Sequence, residues 1–411
     1  MNDVYPIQKI RSLFPALCRV HNGNKAIYLD GPGGSQVVAT AIAAITNYMR
    51  RGVANTHGKF PSSEETEHLI ETAKVALADL LACAPNEIAF GANATSNMFA
   101  VSRALSRSWN PGDEIVVSEM DHHSHIDTWV LAARDRGATV RHLPVNPKTL
   151  MLDLSELNTL INANTKLVAV GYASNAIGTI NDVASISRRC HEVGALLSVD
   201  AVHIAPHKAI DMGALGADML FCSAHKFFGG HIGIAAIRKD VFDILDTYRL
   251  HPAPSTAPGK LETGTQNHEA IASIVPAVDF IAGLGTGSTR RERLISGFAR
   301  IERHENALVD KVRQGLADIA GLTLYQSEGP KTAIVAFTLD GRQPGDVCRE
   351  LCDRYSIFAA DGIFYAQTLA HRLGVDRLGG WIRVGFTPYN TKEEADLLIQ
   401  SVCELASKNK L

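Results

Sequence analysis

The segment DMLFCSAHKFFGGHIGIAAI sets Lys226 directly after an apolar run, flanked by Ser223, His225 and the pair Gly229–Gly230. An ammonium held in apolar surroundings loses hydration, so its pKa falls toward the neutral amine that condenses with an aldehyde. A lone lysine at a strand end more often snorkels to solvent, but this one has company. Upstream, ALLSVDAVH ends another apolar run on Asp200, where a carboxylate needs a cationic partner. By itself Asp200 would read as a cap for the next helix. Further upstream, EIAFGANATSNMFAVSRAL reads as strand, small-residue loop and helix. The amides of Ala94 and Thr95 and the Thr95 hydroxyl then fall at a helix N-terminus, which attracts phosphate. An amine for an aldehyde, an acid for a protonated ring nitrogen and a turn for a phosphate together describe a site for pyridoxal 5′-phosphate.

Such groups need a scaffold, and the chain supplies one. Apolar runs of strand length recur at 87–90, 114–120, 138–145, 166–173, 195–202, 218–224 and 232–237, with helical patterns between them, as at 128–136 and 183–193. Alternation of that kind predicts βαβ units and an α/β fold whose mainly parallel sheet is buried on both faces. In such sheets ligands bind just past the strand carboxyl ends, and each candidate residue follows a run. A looser stretch, 251–266, precedes a helical region and a final α+β portion with strands near 332–339 and 381–386. We expect a large domain over 29–285 and a smaller α+β domain formed by 1–28 and 286–411.

Composition narrows the classes. The 411 residues carry 40 Lys+Arg against 43 Asp+Glu, a net charge of −3 without a charged tail, so nothing asks for nucleic acid or a membrane surface. Seven scattered cysteines (Cys18, Cys83, Cys190, Cys222, Cys348, Cys352, Cys403), none in a CxxC pair, argue for reduced thiols and a cytoplasmic protein. No apolar run reaches the roughly 18 residues of a membrane span, and the N-terminal segment has charges where a signal peptide is apolar.

From YLDGPGGSQ to RVGFTPYNTKEEAD the sequence resembles the fold-type-I pyridoxal-phosphate enzymes, specifically the class V aminotransferase group that includes cysteine desulfurases and selenocysteine lyases. The resemblance implies a three-layer large domain, with Lys226 forming the Schiff base to pyridoxal 5′-phosphate, Asp200 facing the pyridinium, and Ser223, His225, Ala94 and Thr95 around the phosphate. His122, in EMDHHSHIDTW, matches the histidine that stacks on the ring and shuttles protons. Asn175 matches the asparagine beside ring and substrate carboxylate, and His203 stands where many members carry a glutamine that bonds the phenolic oxygen. Arg383, in WIRVGF, matches the arginine that receives the substrate's α-carboxylate, a role suited to a planar guanidinium. ETGTQN resembles the segment whose Gly264 and Thr265 touch the neighbouring subunit's phosphate, so a homodimer is implied. The expected activity is lyase chemistry on a small α-amino acid, with cysteine or selenocysteine the first substrate to try.

Desulfurases of this group relay sulfur through a mobile-loop cysteine, and the matching stretch, 356–373, contains none. Cys348, Cys352 and Cys222 read better as small buried hydrophobes, which argues against a persulfide relay; a sulfur-accepting partner is not identified. The same apparatus performs transamination or epimerisation, and a non-catalytic cofactor carrier would also keep Lys226. Against a dinucleotide dehydrogenase, no GxGxxG follows an early strand with an acid about 20 residues on. Asp121, His122, His123 and His125 are metal-ligand types, but no second cluster completes a shell. Asp121 and His125, four apart, are expected to share a helix face. We therefore expect no metal.

Overall fold

The computed structural model describes residues 5–407. All seven apolar runs become strands of one sheet: β1 (Ile88–Gly91), β2 (Glu114–Ser118), β3 (Thr139–Leu143), β4 (Thr165–Gly171), β5 (Leu196–Asp200), β6 (Met219–Ser223) and β7 (Gly233–Ile237). Their order is β1-β7-β6-β5-β4-β2-β3. Neighbours from β6 to β3 pair in parallel, whereas β7 runs antiparallel to both β6 and β1. The reversal follows from the link: residues 224–232 are too few for a parallel crossover, which needs about a dozen or more.

Strands β2, β6 and β7 are buried along their whole length, and their residues alternate between two cores. Leu220, Cys222, Ile234 and Ala236 enter one cluster, which includes Ile186 and Cys190. Met219, Phe221, Ala235 and Ile237 enter the other, beside Met98, Val101, Trp129 and Ala133. Helices α1 (Ala94–Leu105) and α2 (His123–Arg134) thus cover one face and α3 (Val183–Val193) the other. This two-sided cover explains why the strands read as continuous apolar runs. The expected helix at 183–193 is found residue for residue. α2 begins five residues before its expected start because His122 caps it, accepting from the Ser124 amide.

A second, antiparallel sheet joins β8 (Leu322–Tyr325), β9 (Ile334–Leu339), β10 (Ala360–Gly362) and β11 (Trp381–Gly385) in the order β8-β9-β11-β10. Its core takes Leu308 and Leu316 of α4 (Arg290–Ala317), Leu351 of α5 (Pro344–Tyr355) and Leu398 of α6 (Lys392–Ser407). Near the start of the chain, Ile27–Tyr28 pairs in parallel with Ile357–Phe358, so the early residues pack with the last third of the chain. Among the described residues, no helix is long and apolar enough to cross a membrane.

Candidate active site

Past the carboxyl ends of β1, β2, β4, β5 and β6 lies a cavity of about 380 Å³, whose wall includes Thr95, His122, Asn175, Asp200, His203, Ser223, His225, Lys226 and Arg383. Strand direction places them there: each ends its parallel strand or follows that end, except Arg383, which β11 brings from the second sheet.

Lys226 sits on a short turn after β6, where its Nζ donates to Pro32 O (2.5 Å) and Gly33 O (3.0 Å). Burial, reinforced by the Arg383 charge and opposed by Asp30 and Asp200, holds its pKa at about 8 against an ordinary 10.5. Asp200 ends β5 and is 9% exposed. Its Oδ1 accepts from Val202 N at 2.8 Å, and Oδ2 has no hydrogen-bond partner among the described residues. Burial pushes its carboxyl up, against the charge of His125 and the Val202 amide; a cation docked at the free oxygen would reverse that shift.

The anion cradle forms where α1 starts. Asn93 caps the helix through Ser96 N (2.9 Å), and Ala94 N donates to Ser223 Oγ (3.3 Å). That contact leaves the Ser223 hydroxyl proton free to donate, beside the Thr95 hydroxyl and amide. Strand β7 passes so close beneath that a Cβ at Gly233 would stand 2.2 Å from the Asn93 carbonyl carbon; only glycine lets strand and turn meet. His225 stacks on His231 (centroids 4.6 Å apart), and burial, then the Lys226 charge, lowers its pKa to about 4.

His122 is fixed by its capping role. Its Nδ1 accepts from Ser124 N (3.0 Å), and burial followed by the Lys226 charge lowers its pKa to about 4. The ring is therefore neutral, with its proton on Nε2. His203 Nε2 shares a hydrogen bond with Thr332 Oγ1 at 2.8 Å, which fixes the ring against the cavity wall. Burial holds His203 well below the ordinary histidine value.

Arg383 is 4% exposed and donates from Nη1 to Asn175 O (2.8 Å) and from Nη2 to Asp30 Oδ1 (2.9 Å). Its guanidinium carbon stands 3.7 Å from the centre of the Phe364 ring. Asn175 Nδ2 donates to Phe364 O (2.8 Å), and the buried atoms Asn175 Oδ1 and Arg383 Nε have no partner. Buried polar atoms of that kind call for a ligand or water. With the free Asp200 oxygen, the cradle at Thr95 and the displaced lysine pKa, the donor set fits pyridoxal 5′-phosphate.

Gly264 and Thr265 do not reach this cavity. Thr265 lines a separate one of about 400 Å³ with Ser96 and Asn97, and the segment is tied down by Glu262, which pairs with Lys74 (2.9 Å) and accepts from Phe90 N. The histidines of DHHSHID have separate protein partners: His125 bonds Asp121 (3.0 Å) and Ser198 (2.8 Å), His123 bonds Asp127 and Thr368, and His122 bonds Ser124. Sequence reasoning missed Asp30, Phe364 and Tyr365. Tyr365 lies against His122 (centroids 5.1 Å apart), and both aromatic residues have positive φ, 53° and 55°. No residue type signals that conformation, although both lie in the stretch singled out for its lack of cysteine.

The aminotransferase class-V family matches residues 27–398. A cysteine desulfurase of Enterobacter sp. (strain 638) is 29% identical over 411 residues, covering 96% of this chain and 97% of that protein. The crystal structure of the cysteine desulfurase CsdA from Escherichia coli superposes with a TM-score of 0.86 at 25% identity, covering 99% of both chains. The apo structure of a cysteine desulfurase from Thermococcus onnurineus NA1 gives 0.86 at 27% identity, covering 99% of this chain and 100% of that one.

Proposed function

Since the chain belongs to the aminotransferase class-V family, we propose that it is a pyridoxal-phosphate enzyme that breaks the C–S or C–Se bond of a small α-amino acid, in the manner of a cysteine desulfurase. One observation carries the reading: Lys226, Asp200, Thr95 and His122 line a single cavity with Arg383. Thr95, Ser223 and His225 would hold the phosphate, Asp200 the ring nitrogen, His122 the ring face and Lys226 the aldehyde carbon. When bound, the cofactor supplies an electron sink for negative charge developing at the substrate's Cα.

The protein's own groups do the rest. Arg383 receives the α-carboxylate; its buried Nε–H is unspent, and Asn175, Asp30 and Phe364 hold the guanidinium plane. Lys226 is the base for the α-proton, because a pKa of about 8 keeps a useful fraction of the amine neutral near pH 7. His122 Nε2–H is the donor placed to protonate the leaving group, its other nitrogen being occupied by the helix cap. Phe364 and Tyr365 line the same cavity and supply apolar ring surface beside Arg383 and His122. We place this enzyme in the cytoplasm as a homodimer in which Gly264 and Thr265 meet the partner's phosphate, and we retain the division into 29–285 and 1–28 with 286–411.

The test is spectroscopic. Purified protein is expected to be yellow and to change colour on addition of cysteine or selenocysteine. Lys226→Ala is expected to lose the band of lysine-bound cofactor and all turnover; a variant with an unaltered band would refute the assignment.

A further inference from the structure

Converting cysteine to alanine removes sulfur at the oxidation level of the element, so an acceptor must take it up, as a thiol does: Cys + RSH gives Ala + RSSH. Elimination needs no such acceptor. Loss of the α-proton and departure of HS⁻ from Cβ give 2-aminoacrylate, which water converts to pyruvate and ammonium, with no change in the overall electron count. A relay through the chain itself requires one of its own thiols at the cavity. None of its seven cysteines lines the cavity. Cys222, on β6, points into the core beside Leu220 and Ile234, Cys190 is buried against α3's neighbours, and burial pushes both thiols up. Cys348 is 7% exposed within α5 and its thiol is pushed up in the same way, while Cys352 lies 3.4 Å from His21.

Tyr365, 72% exposed, is the residue that the stretch matching the desulfurases' mobile loop contributes beside His122 to the cavity wall, and the backbone of its turn is held. Asn175 Nδ2 bonds Phe364 O and His123 N bonds Tyr365 O, each at 2.8 Å. Phe364 lies under Arg383, and Tyr365 packs on His122. Two successive residues at positive φ persist only where their surroundings over-determine them. These four contacts tie the turn to the cavity wall, and none of the chain's thiols lies among them.

We infer that this chain is an α,β-eliminating lyase: from amino acids bearing a thiolate or selenolate leaving group on Cβ it releases that group into solution and yields a 2-keto acid and ammonium, with Tyr365 rather than a thiol beside His122. The inference rests on the proposed cofactor and substrate class.

Holoenzyme is incubated with L-cysteine, pyruvate, alanine and sulfide are quantified, and the protein is then weighed by intact mass spectrometry under non-reducing conditions. Pyruvate and sulfide in equal amounts, with no sulfur added to the protein, are expected. Alanine together with protein-bound sulfur would overturn elimination while leaving the proposed function standing. Neither product, with an unchanged cofactor spectrum for cysteine and selenocysteine alike, would overturn both. Tyr365→Cys is expected to acquire sulfur and to shift product toward alanine; a sulfur-free variant with unchanged products would overturn the placement of Tyr365.

Discussion

Removing the charge of Arg383 should slow aldehyde capture by Lys226, even with no substrate present. Burial is the largest cause holding the amine at about 8 rather than 10.5, and the Arg383 charge is the next; Asp30 and Asp200 oppose them. At pH 7 an amine of pKa 8 is roughly one-tenth neutral and an ordinary lysine roughly 0.03%, so the site supplies about 300-fold more reactive amine. Arg383→Gln keeps most of the side-chain volume, deletes the charge and releases Asp30, and both changes raise the lysine pKa. Because burial remains, only part of the displacement is returned, which slows capture at pH 7 by less than the about 300-fold that full return would give and not at all once the amine is neutral. The assay mixes apo-protein with excess pyridoxal 5′-phosphate and follows the band of lysine-bound cofactor from about pH 6 to about pH 11, a range that brackets both pKa values. The rate should rise with pH to a midpoint near 8 in the parent and at a higher pH in Arg383→Gln. A parent midpoint near 10.5, or a variant midpoint below the parent's, would refute the reasoning.

Other substitutions separate chemistry from folding. Asp200→Asn keeps an oxygen for the Val202 amide and deletes a charge that burial disfavours, so its melting temperature should match or exceed the parent's. Opposite charges about 4 Å apart are worth about 4 kcal/mol at an effective dielectric constant of about 20, so turnover should fall about 1,000-fold; full activity would remove Asp200 from the mechanism. Thr95→Val deletes one donor to a charged phosphate, worth about 1.5–3 kcal/mol. Cofactor affinity measured by titration should drop about 10- to 100-fold, and an unchanged affinity would place the phosphate elsewhere. Cys348→Ala and Cys352→Ala should each retain lyase activity, and abolition without unfolding would restore a persulfide route.

The main sheet was legible because burial on both faces leaves an apolar run for every strand, whatever its partners. Strand direction is not written in such runs. For β7 the only cue was the short link after Ser223, too brief for a crossover. Lys226, Asp200 and Thr95 were legible because each puts a costly or special group directly after a run. Asp30 was not, since its significance lies in a contact with a residue 353 positions away. Nor was the clamp made by Phe364 and Tyr365, whose left-handed backbone is imposed by hydrogen bonds from Asn175 and His123 rather than by a glycine or asparagine. The start of α2 was placed too late because histidine is an uncommon cap, and here the same side chain serves both the helix and the cavity.

Borohydride reduction of the holoenzyme followed by peptide mass spectrometry addresses the central claim without relying on turnover. The cofactor-derived mass should appear on the peptide containing Lys226 and on no other. The same mass on a different lysine, or its absence from a protein that retains full colour, would contradict the account.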